Sequence, residues 1–330
     1  MKYSIIIPVY NRPDEIDELL DSLTKQTYSS GFEVVVVEDG SQVDCRDVVE
    51  KYQNQLNISY YYKANSGPGD SRNYGMKLAK CDYFIIFDSD CIIPPQYLDK
   101  VEQSLQTSYV DCFGGPDTAL SSFSNVQKAI NYTMTSVLTT GGIRGASEKI
   151  GKFQPRSFNM GISRKAFEST GGFGKIHPGE DPDLSIRLWK SGFKTKLIPQ
   201  AFVYHKRRID WKKFYVQVNK FGKARPILDA WHPEYKKPTY WFPLFFICGL
   251  LVAVLLAIAG FSFLIFGYLL YFILLFLDAW LKTKSIAVAF LSLRACLIQF
   301  YGYACGFAKA KYRIAFQGKS PQKAMPEMFF

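Results

Sequence analysis

The 40 residues from 238 to 277 contain no charged side chain and consist mostly of Leu, Phe, Ile, Ala and Val. One bilayer crossing takes about 20 apolar residues, so this stretch is long enough for two crossings. We expect a hairpin in which residues 241–259 cross outward, Gly260 lies near the turn and residues 261–277 return. The remainder of the 330-residue chain has the mixed composition of a soluble domain.

A third apolar segment, residues 286–308, is also long enough to span. Arg294 at its middle would cost about 2.5–3.5 kcal/mol in the bilayer. We therefore expect this segment to lie along the interface or to pack against the hairpin. The basic tail 311–330, including Phe330, would then remain in the cytosol, on the side of Lys236 and Lys284.

The net charge of +11 is concentrated before the apolar stretch, since residues 205–225 contain eight Lys or Arg and one Asp. Basic residues beside a membrane segment mark its cytoplasmic side and attract anionic lipids, which favours a membrane surface over nucleic acid as partner. Residues 210–223 read as an amphipathic helix, and we expect 210–240 to form an interface helix and linker. The alternative is an ordinary surface helix packed on the soluble domain.

The start of the chain has no apolar signal region, so we expect a cytosolic domain over residues 1–209 on the cytoplasmic (inner) membrane. Residues 241–310 would form the membrane region. Seven scattered cysteines without a Cys-x-x-Cys pair agree with a reducing compartment.

The first hundred residues alternate short apolar runs with helix-length segments. The runs are residues 4–9, 32–37, 58–62 and 83–87; the helical segments are 13–25, 44–53 and 69–80. This alternation predicts an α/β fold with a doubly wound, mostly parallel sheet, followed by a C-terminal α-helical membrane region. In such sheets the ligand lies at the carboxyl ends of the strands. Farther along the chain, we expect a loop over the Gly-rich residues 139–151 and a strand over residues 156–163.

Asp88 and Asp90 follow the fourth run and are the strongest chemical signal. Two carboxylates at i and i+2 after a buried strand point the same way, and hard oxygen ligands suit Mg²⁺ or Mn²⁺. The alternative is a pair of solvated turn acids. Glu180 and Asp181 form a second acidic cluster, in which Asp181 could cap a helix with Pro182 at its first position. Ser71 and His177 lack any obvious third partner for a nucleophile triad.

Five blocks of sequence occur together at a regular spacing. They read IIIPVYNR (5–12), VVEDGS (36–41), NSGPGDSRN (65–73), FDSD (87–90) and GED (179–181). Over about residues 3–210 the chain resembles the inverting glycosyltransferases of family two, which have the GT-A fold. The later blocks GGIR (141–144) and GGF (171–173), with the membrane tail, are most similar to the ExoA-type exopolysaccharide branch.

The resemblance implies roles for the matching positions. Tyr10 and Asp39 would bracket the nucleobase, with Asp39 accepting the uracil imide hydrogen, and Arg72 would reach the base or the phosphates. Asp90 would bind the metal, Asp88 the ribose or a metal-bound water, and His205 would complete the metal shell or contact the diphosphate. Asp181 would be the general base for the acceptor hydroxyl, with Glu180 the alternate. The remaining donor-binding candidates are Pro8, Arg12, Gln217 and Lys220.

Gln217 and Lys220 belong to a segment similar to the Q-x-x-R-W motif of processive members. Lys and Phe replace Arg and Trp here, which leaves processivity open.

The resulting hypothesis is a metal-dependent inverting hexosyl- or N-acetylhexosaminyl-transferase that uses Mn²⁺ or Mg²⁺. A UDP-sugar would be the donor and a lipid-linked or saccharide hydroxyl the acceptor, in the synthesis of cell-surface polysaccharide or glycolipid. Within the class, transfer to polyprenyl phosphate is the alternative. Outside it, a nucleotidyltransferase would need a G-x-G-x-x-R/K signature that residues 8–12 lack, and a dead membrane scaffold would usually lose the metal acids.

Overall fold

The computed structural model describes residues 2–118, 123–140, 152–206 and 210–330. Its contacts divide the described chain into two compact units. The first unit contains residues 2–118 and 152–206 together with Phe330, and the second contains residues 123–140 and 210–329. The predicted loop over 139–151 and the GGIR block fall largely or wholly outside the described residues. The domain limits drawn from the sequence stay predictions.

The elements are numbered in chain order through both units. The strands are β1 Tyr3–Val9, β2 Phe32–Asp39, β3 Asn57–Lys63, β4 Tyr83–Phe87, β5 Cys91–Ile92, β6 Cys112–Gly114, β7 Asp117–Thr118, β8 Asn159–Ser163, β9 Thr195–Leu197 and β10 Val203–His205. The helices are α1 Pro13–Thr24, α2 Arg46–Glu50, α3 Pro68–Leu78, α4 Tyr97–Thr107, α5 Asn125–Thr135, α6 Val137–Thr140, α7 Arg164–Thr170, α8 Glu180–Lys190, α9 Trp211–Trp231, α10 Phe242–Ile258, α11 Phe263–Thr283, α12 Ile286–Lys311 and α13 Pro321–Ala324.

The first unit is built on a seven-stranded sheet in the order β3-β2-β1-β4-β8-β6-β9. The four strands on one side, β3 to β4, are mutually parallel, and β8 runs antiparallel between β4 and β6. A second, three-stranded sheet has the order β5-β10-β7. The predicted fold class, a mostly parallel α/β sheet followed by apolar helices, is confirmed.

Continuous apolar sequence explains the central strands. Every residue of β4 is buried, and β1 is buried except at Pro8, because helices cover both faces of the sheet. On α1 the buried residues recur at helical spacing, at Ile16, Leu19, Leu20 and Leu23. The parallel strands β1, β2 and β4 therefore end at one edge of the sheet, where Asn11, Asp39 and Asp88 follow or close them.

The start of α8 differs from its prediction. The helix begins at Glu180 after Gly179, so Asp181 is its second residue and Pro182 its third, and Asp181 is not the cap. A proline fits there because the first amides of a helix have no intrahelical partner in any case. The predicted strand over residues 156–163 begins only at Asn159, and Arg156 forms an isolated bridge with that residue.

The second unit contains the apolar helices. Three helical segments are long and apolar enough to cross a membrane: Pro238–Ile258, Phe263–Thr283 and Ile286–Phe316. α12 packs against α9, α5, α10 and α11. The buried residues Phe214 and Val218 of α9 lie in a cluster with α5 and α12, so part of the predicted apolar face is covered by protein. The location of α9 at an interface stays a prediction.

Candidate active site

Asp90 and His205 meet beyond the end of β4. The Nε2 atom of His205 lies 3.1 Å from Oδ1 of Asp90. The small sheet creates this contact, because β10 pairs antiparallel with β5 and sets His205 opposite Cys91. The imidazole also stacks on Phe158, with ring centroids 4.6 Å apart. A carboxylate and an imidazole are therefore held at one point of the cleft edge.

This pair fits a divalent cation. Within the described residues, ligand atoms of Asp90, Cys91 and His205 lie within 4.8 Å of one another. The Asp117 carboxylate lies 4.0 Å from Nδ1 of His205, on the far side of the ring, where ligating histidines commonly find a carboxylate. An oxygen and a nitrogen ligand with open positions suit Mn²⁺. The buried Cys91 is a soft thiol ligand and belongs to the neighbouring strand.

Arg72 joins the two acidic clusters. Its Nη2 donates to Oδ1 of Asp88 at 2.6 Å, and its Nη1 donates to Oε1 of Glu180 at 3.1 Å. The guanidinium is almost fully buried and lies over the Phe173 ring. A buried charge requires such partners, since its desolvation would otherwise cost several kcal/mol. The Arg72 contacts bring the residues after β4 and the start of α8 to the same place.

Both carboxylate oxygens of Glu180 accept hydrogen bonds. Besides Arg72, its Oε1 accepts from Nδ1 of His177 at 3.0 Å, and its Oε2 accepts from the Gly179 amide at 2.9 Å. Burial opposes ionisation, but His177 and Arg72 outweigh it and lower the pKa of Glu180 to about 2. His177 thus pairs with an acid, and this contact joins it to no nucleophile. The hydroxyl of Ser71 donates to the carbonyl of Gly67, as an ordinary helix-start contact.

Asp181 differs from Glu180 in its contacts and in the direction in which its pKa is shifted. Its side chain contacts Arg156, whose Nη1 lies 3.4 Å from Oδ2. Burial, with the charge of Glu180 added, raises the pKa of Asp181, while Arg156 and Arg72 act against the rise. Of the two acids, Asp181 is therefore the one suited to accept a proton, because a raised pKa makes it the stronger base.

Asp39, the last residue of β2, has its carboxylate tied to the loop before α3. Its Oδ1 accepts from the Ser66 amide at 3.0 Å and from Lys63 Nζ at 2.5 Å. Its Oδ2 accepts from the Gly67 amide at 3.0 Å. A carboxylate offers about four lone-pair sites, so one site on Oδ2 remains for a ligand. Gly67 has φ of 90°, a conformation that favours glycine, so this cradle depends on that residue.

The other predicted donor residues follow β1. Pro8 lies within the strand, and the Tyr10 side chain is 52% exposed at its end. Arg12 donates to Glu15; this bond, with the charges of Asp90 and Asp88 added, raises the pKa of Arg12 although burial opposes it. The first unit thus gathers these residues with Asp39 and Asp88 at one sheet edge. Gln217 and Lys220 lie on α9 in the second unit, and their donor role stays a prediction.

Three side chains in this region were absent from the sequence hypothesis. They are Arg156 beside Asp181, Cys91 beside Asp90, and Phe330. The Phe330 amide donates to the Lys175 carbonyl at 3.2 Å, and its ring lies 6.0 Å from that of His177. The same ring covers Gly67, where an added Cβ would approach it to 2.5 Å. Arg156 and Phe330 lie far in sequence from Asp181 and Lys175, so local spacing gives no signal for these two contacts.

Comparison with known proteins gives matches to one family. The model of "Glycosyl transferase family 2" matches residues 4–171, just over half of the chain. Poly(ribitol-phosphate) beta-N-acetylglucosaminyltransferase TarS of Staphylococcus aureus is 39% identical over 114 residues, covering 34% of this chain and 19% of TarS. Validoxylamine A glucosyltransferase of Streptomyces hygroscopicus is 38% identical over 101 residues, covering 30% of this chain and 24% of that protein. The chain thus spans at most a quarter of these relatives.

Solved structures agree on the fold. The mannosyltransferase PcManGT from Pyrobaculum calidifontis, in complex with GDP-Man and Mn²⁺, has a TM-score of 0.58 at 16% identity and covers 94% of this chain and 87% of its own. TarS 1-349 in complex with UDP-GlcNAc has a TM-score of 0.51 at 21% identity, covering 97% and 93%. The family match coincides with the strands that carry Asp39, Asp88 and Asp90. The chain belongs to glycosyl transferase family 2.

Proposed function

We propose that the protein is a metal-dependent, inverting glycosyltransferase that moves a sugar from a UDP-sugar to a hydroxyl group of a lipid-linked acceptor at a membrane. The hexosyl or N-acetylhexosaminyl group would enter a cell-surface polysaccharide or glycolipid. The catalytic domain would face the cytosol, where nucleotide sugars are available.

One observation carries the proposal: Arg72 binds Asp88 with one nitrogen and Glu180 with another. Asp88, close to the proposed metal ligand Asp90, and Glu180, next to the proposed base Asp181, therefore flank one guanidinium. An in-line displacement needs the leaving group on one face of the anomeric carbon and the base on the other. Such an arrangement supplies both with no covalent intermediate.

In this mechanism Asp181 accepts the proton of the acceptor hydroxyl as its oxygen attacks the anomeric carbon. Glu180 stays ionised and, with His177, holds Arg72 in place. Asp90 and His205 would hold the cation, with Asp88 beside them. A bound Mn²⁺ or Mg²⁺ supplies positive charge that stabilises the departing diphosphate. Arg12, within the field of the same acids, adds a further positive charge at this edge.

The donor preference rests on Asp39. The unused acceptor site on its Oδ2 suits an imide N–H of the kind that uracil presents, while Tyr10 offers an exposed ring for the base face. Related structures hold nucleotide sugars of both kinds, UDP-GlcNAc in TarS and GDP-Man in PcManGT. A single remaining acceptor site matches the one ring N–H of uracil, whereas guanine presents two adjacent N–H donors, so we favour UDP.

A panel of UDP- and GDP-sugars tests the donor. With membranes that contain the full chain and with Mn²⁺ present, we expect nucleotide release from one or more UDP-sugars and none above background from GDP-sugars. Membranes from cells without the protein provide the control. Release from GDP-sugars alone would contradict the assignment of Asp39, and release from neither class would contradict the proposal.

Replacing Arg156 should move the pH profile of transfer. In Arg156→Ala a cation that favours the Asp181 carboxylate is lost, so the pKa of Asp181 rises further. Because the base must be ionised, the acid limb of kcat should move to higher pH, while the rate on the alkaline plateau stays close to that of the wild type. Arg156→Lys retains the charge and should keep the limb near its original position. An unmoved limb in Arg156→Ala would argue against Asp181 as the base.

A further inference from the structure

The two apolar helices α10 and α11 form an antiparallel hairpin that is joined by the short turn at residues 259–262. The two helices contact each other at the level of Phe246 in α10, whose ring packs on Tyr268, Tyr271 and Phe272 of α11. The hydroxyl of Tyr268 donates to the Phe246 carbonyl at 2.9 Å. This level lies near the start of α10 and the middle of α11, so the part of the hairpin beyond it leads to the turn.

α12 crosses the hairpin at this level and does not follow it to the turn. Near the start of α12, Phe290 packs on Phe276 of α11. Farther along, Cys296 meets the hydroxyl of Tyr271 at 3.5 Å, and the Phe300 ring lies 4.8 Å from that of Phe246. Near its end, Phe307 and Lys311 contact Trp241, just before α10.

These contacts determine the direction of α12. Along the chain they pass from the returning arm of the hairpin to the outgoing arm, and both ends of α12 meet the parts farthest from the turn. From Phe290 to Cys296 the contacts move toward the turn along α11, and from Phe300 to Lys311 they move away from it along α10. A third helix aligned with α11 would instead keep approaching the turn as its numbers rise. α12 therefore lies across the open end of the hairpin.

α9 runs beside α12 in the same direction. Arg294 of α12 lies over the Trp211 ring at 4.9 Å, and the higher numbers of α9 meet the higher numbers of α12. Gly222 and Gly306 bring the backbones into contact, since a Cβ on either would come within 2.1 Å of a carbonyl oxygen of the other helix. α9 contains six charged residues in its 21 positions. Helices with charges of this number do not lie in hydrocarbon, so the α9–α12 pair belongs at the membrane surface.

The hairpin beyond α12 is too short to span. From Phe246 to Ile258 are 12 residues, which at 1.5 Å each extend about 18 Å. The hydrocarbon core of a bilayer is about 30 Å thick. The apolar side chains of this part are exposed in the second unit, Ile258 by 80% and Phe263 by 71%.

The composition of the turn between α10 and α11 suits the interior of a bilayer. It reads Ala259-Gly260-Phe261-Ser262 and carries no charge that would suit the far surface. The amides of Ala259, Gly260 and Phe261 donate to carbonyls of the preceding turn of α10, so the close of that helix is satisfied within the chain.

We propose that α10 and α11 form a re-entrant hairpin that enters one leaflet and ends near the bilayer centre, while α9 and α12 lie on the surface of the same leaflet. This proposal differs from the spanning hairpin expected from length and composition. Lipid acyl chains are the occupant of the exposed apolar surface, since its 40-residue uncharged sequence is flanked by basic residues on the α9 side.

Labelling with a membrane-impermeant maleimide tests the position of the turn in the full chain. Ser262→Cys should add no label to the wild-type background in intact cells or in inverted vesicles, and about one label per chain after detergent solubilisation. Lys212→Cys, on exposed α9, should be labelled from one side only. Labelling of Ser262→Cys from the opposite side would show that the hairpin spans, and labelling from the same side would show that it is not inserted.

If Ser262→Cys stays unlabelled in detergent and the chain is a dimer there, a second copy covers the turn and the proposal is wrong. Depth is measured independently with Phe261→Trp in vesicles of brominated lipids. The added emission should be quenched most by bromine near the acyl chain ends. Strongest quenching by bromine near the headgroups would overturn the proposal. Neither measurement requires transferase activity, so its outcome is separate from that of the proposed function.

Discussion

An Asp90→Asn variant should lose transfer by on the order of 10³-fold, since a bound cation contributes several kcal/mol of charge stabilisation to the transition state. The neutral amide keeps the shape of the side chain but weakens the site formed with His205, 3.1 Å away. EDTA should abolish transfer by the wild type, and added Mn²⁺ or Mg²⁺ should restore it.

The measurement should separate metal affinity from folding. Manganese titration followed by the EPR signal of the free ion should show weakened binding in Asp90→Asn and unchanged binding in Asp21→Asn. Asp21 provides a matched control because it forms an exposed ion pair with Lys25, away from the cleft acids. A folded Asp90→Asn enzyme with near-normal turnover would exclude the assignment.

Asp181→Asn should lower turnover by about 10²–10⁴-fold, the usual contribution of a general base. The amide cannot accept the acceptor proton, and donor binding should hardly change. Because burial already raises the pKa of Asp181, loss of its charge should leave the thermal unfolding midpoint close to that of the wild type. Equal losses of donor affinity and turnover would indicate a structural role instead.

Glu180→Gln is the informative comparison, since Glu180 is paired with Arg72 and His177 and its lowered pKa indicates a stabilised carboxylate. Breaking a buried ion pair typically costs about 3–5 kcal/mol, so this variant should unfold at lower temperature.

Transfer to polyprenyl phosphate would need no base, because that acceptor is already ionised. Retained activity in Asp181→Asn would therefore favour the polyprenyl-phosphate reaction over transfer to a hydroxyl.

Local patterns were sufficient for the parallel half of the sheet. The runs behind β1, β2 and β4 are apolar at every position but a few. Acids follow the runs of β2 and β4, and Tyr10 and Asn11 follow β1, so strand and cleft could be predicted together. Residues 156–163 also read as a strand, but the antiparallel pairing of β8 with β6 could not be predicted, because it joins segments far apart in sequence.

In the candidate site, too, the residues beside a strong local pattern could be predicted and those with distant partners could not. Asp88 and Asp90 were readable because they sit beside a strong strand signal. Arg156 was not, because it lies 25 positions from Asp181 in a segment without periodic pattern. Pro182 misled the reading of the helix start, since proline is tolerated through the first turn and does not identify one position. The angle between α12 and the hairpin depends on aromatic contacts such as Phe246 with Phe300, which length and hydropathy do not encode.

The contacts of α5 have a consequence for how the chain is made. Tyr132 of α5 donates to Asp278 of α11 across 146 positions, and Ile130 and Met134 pack with residues of α9 and α12. At about 5–20 residues per second, the ribosome needs roughly 7–30 s to produce that partner. All the strands of the first unit leave the ribosome in this interval or before it. Until then the apolar face of α5 lacks these partners, so the second unit closes only as synthesis ends.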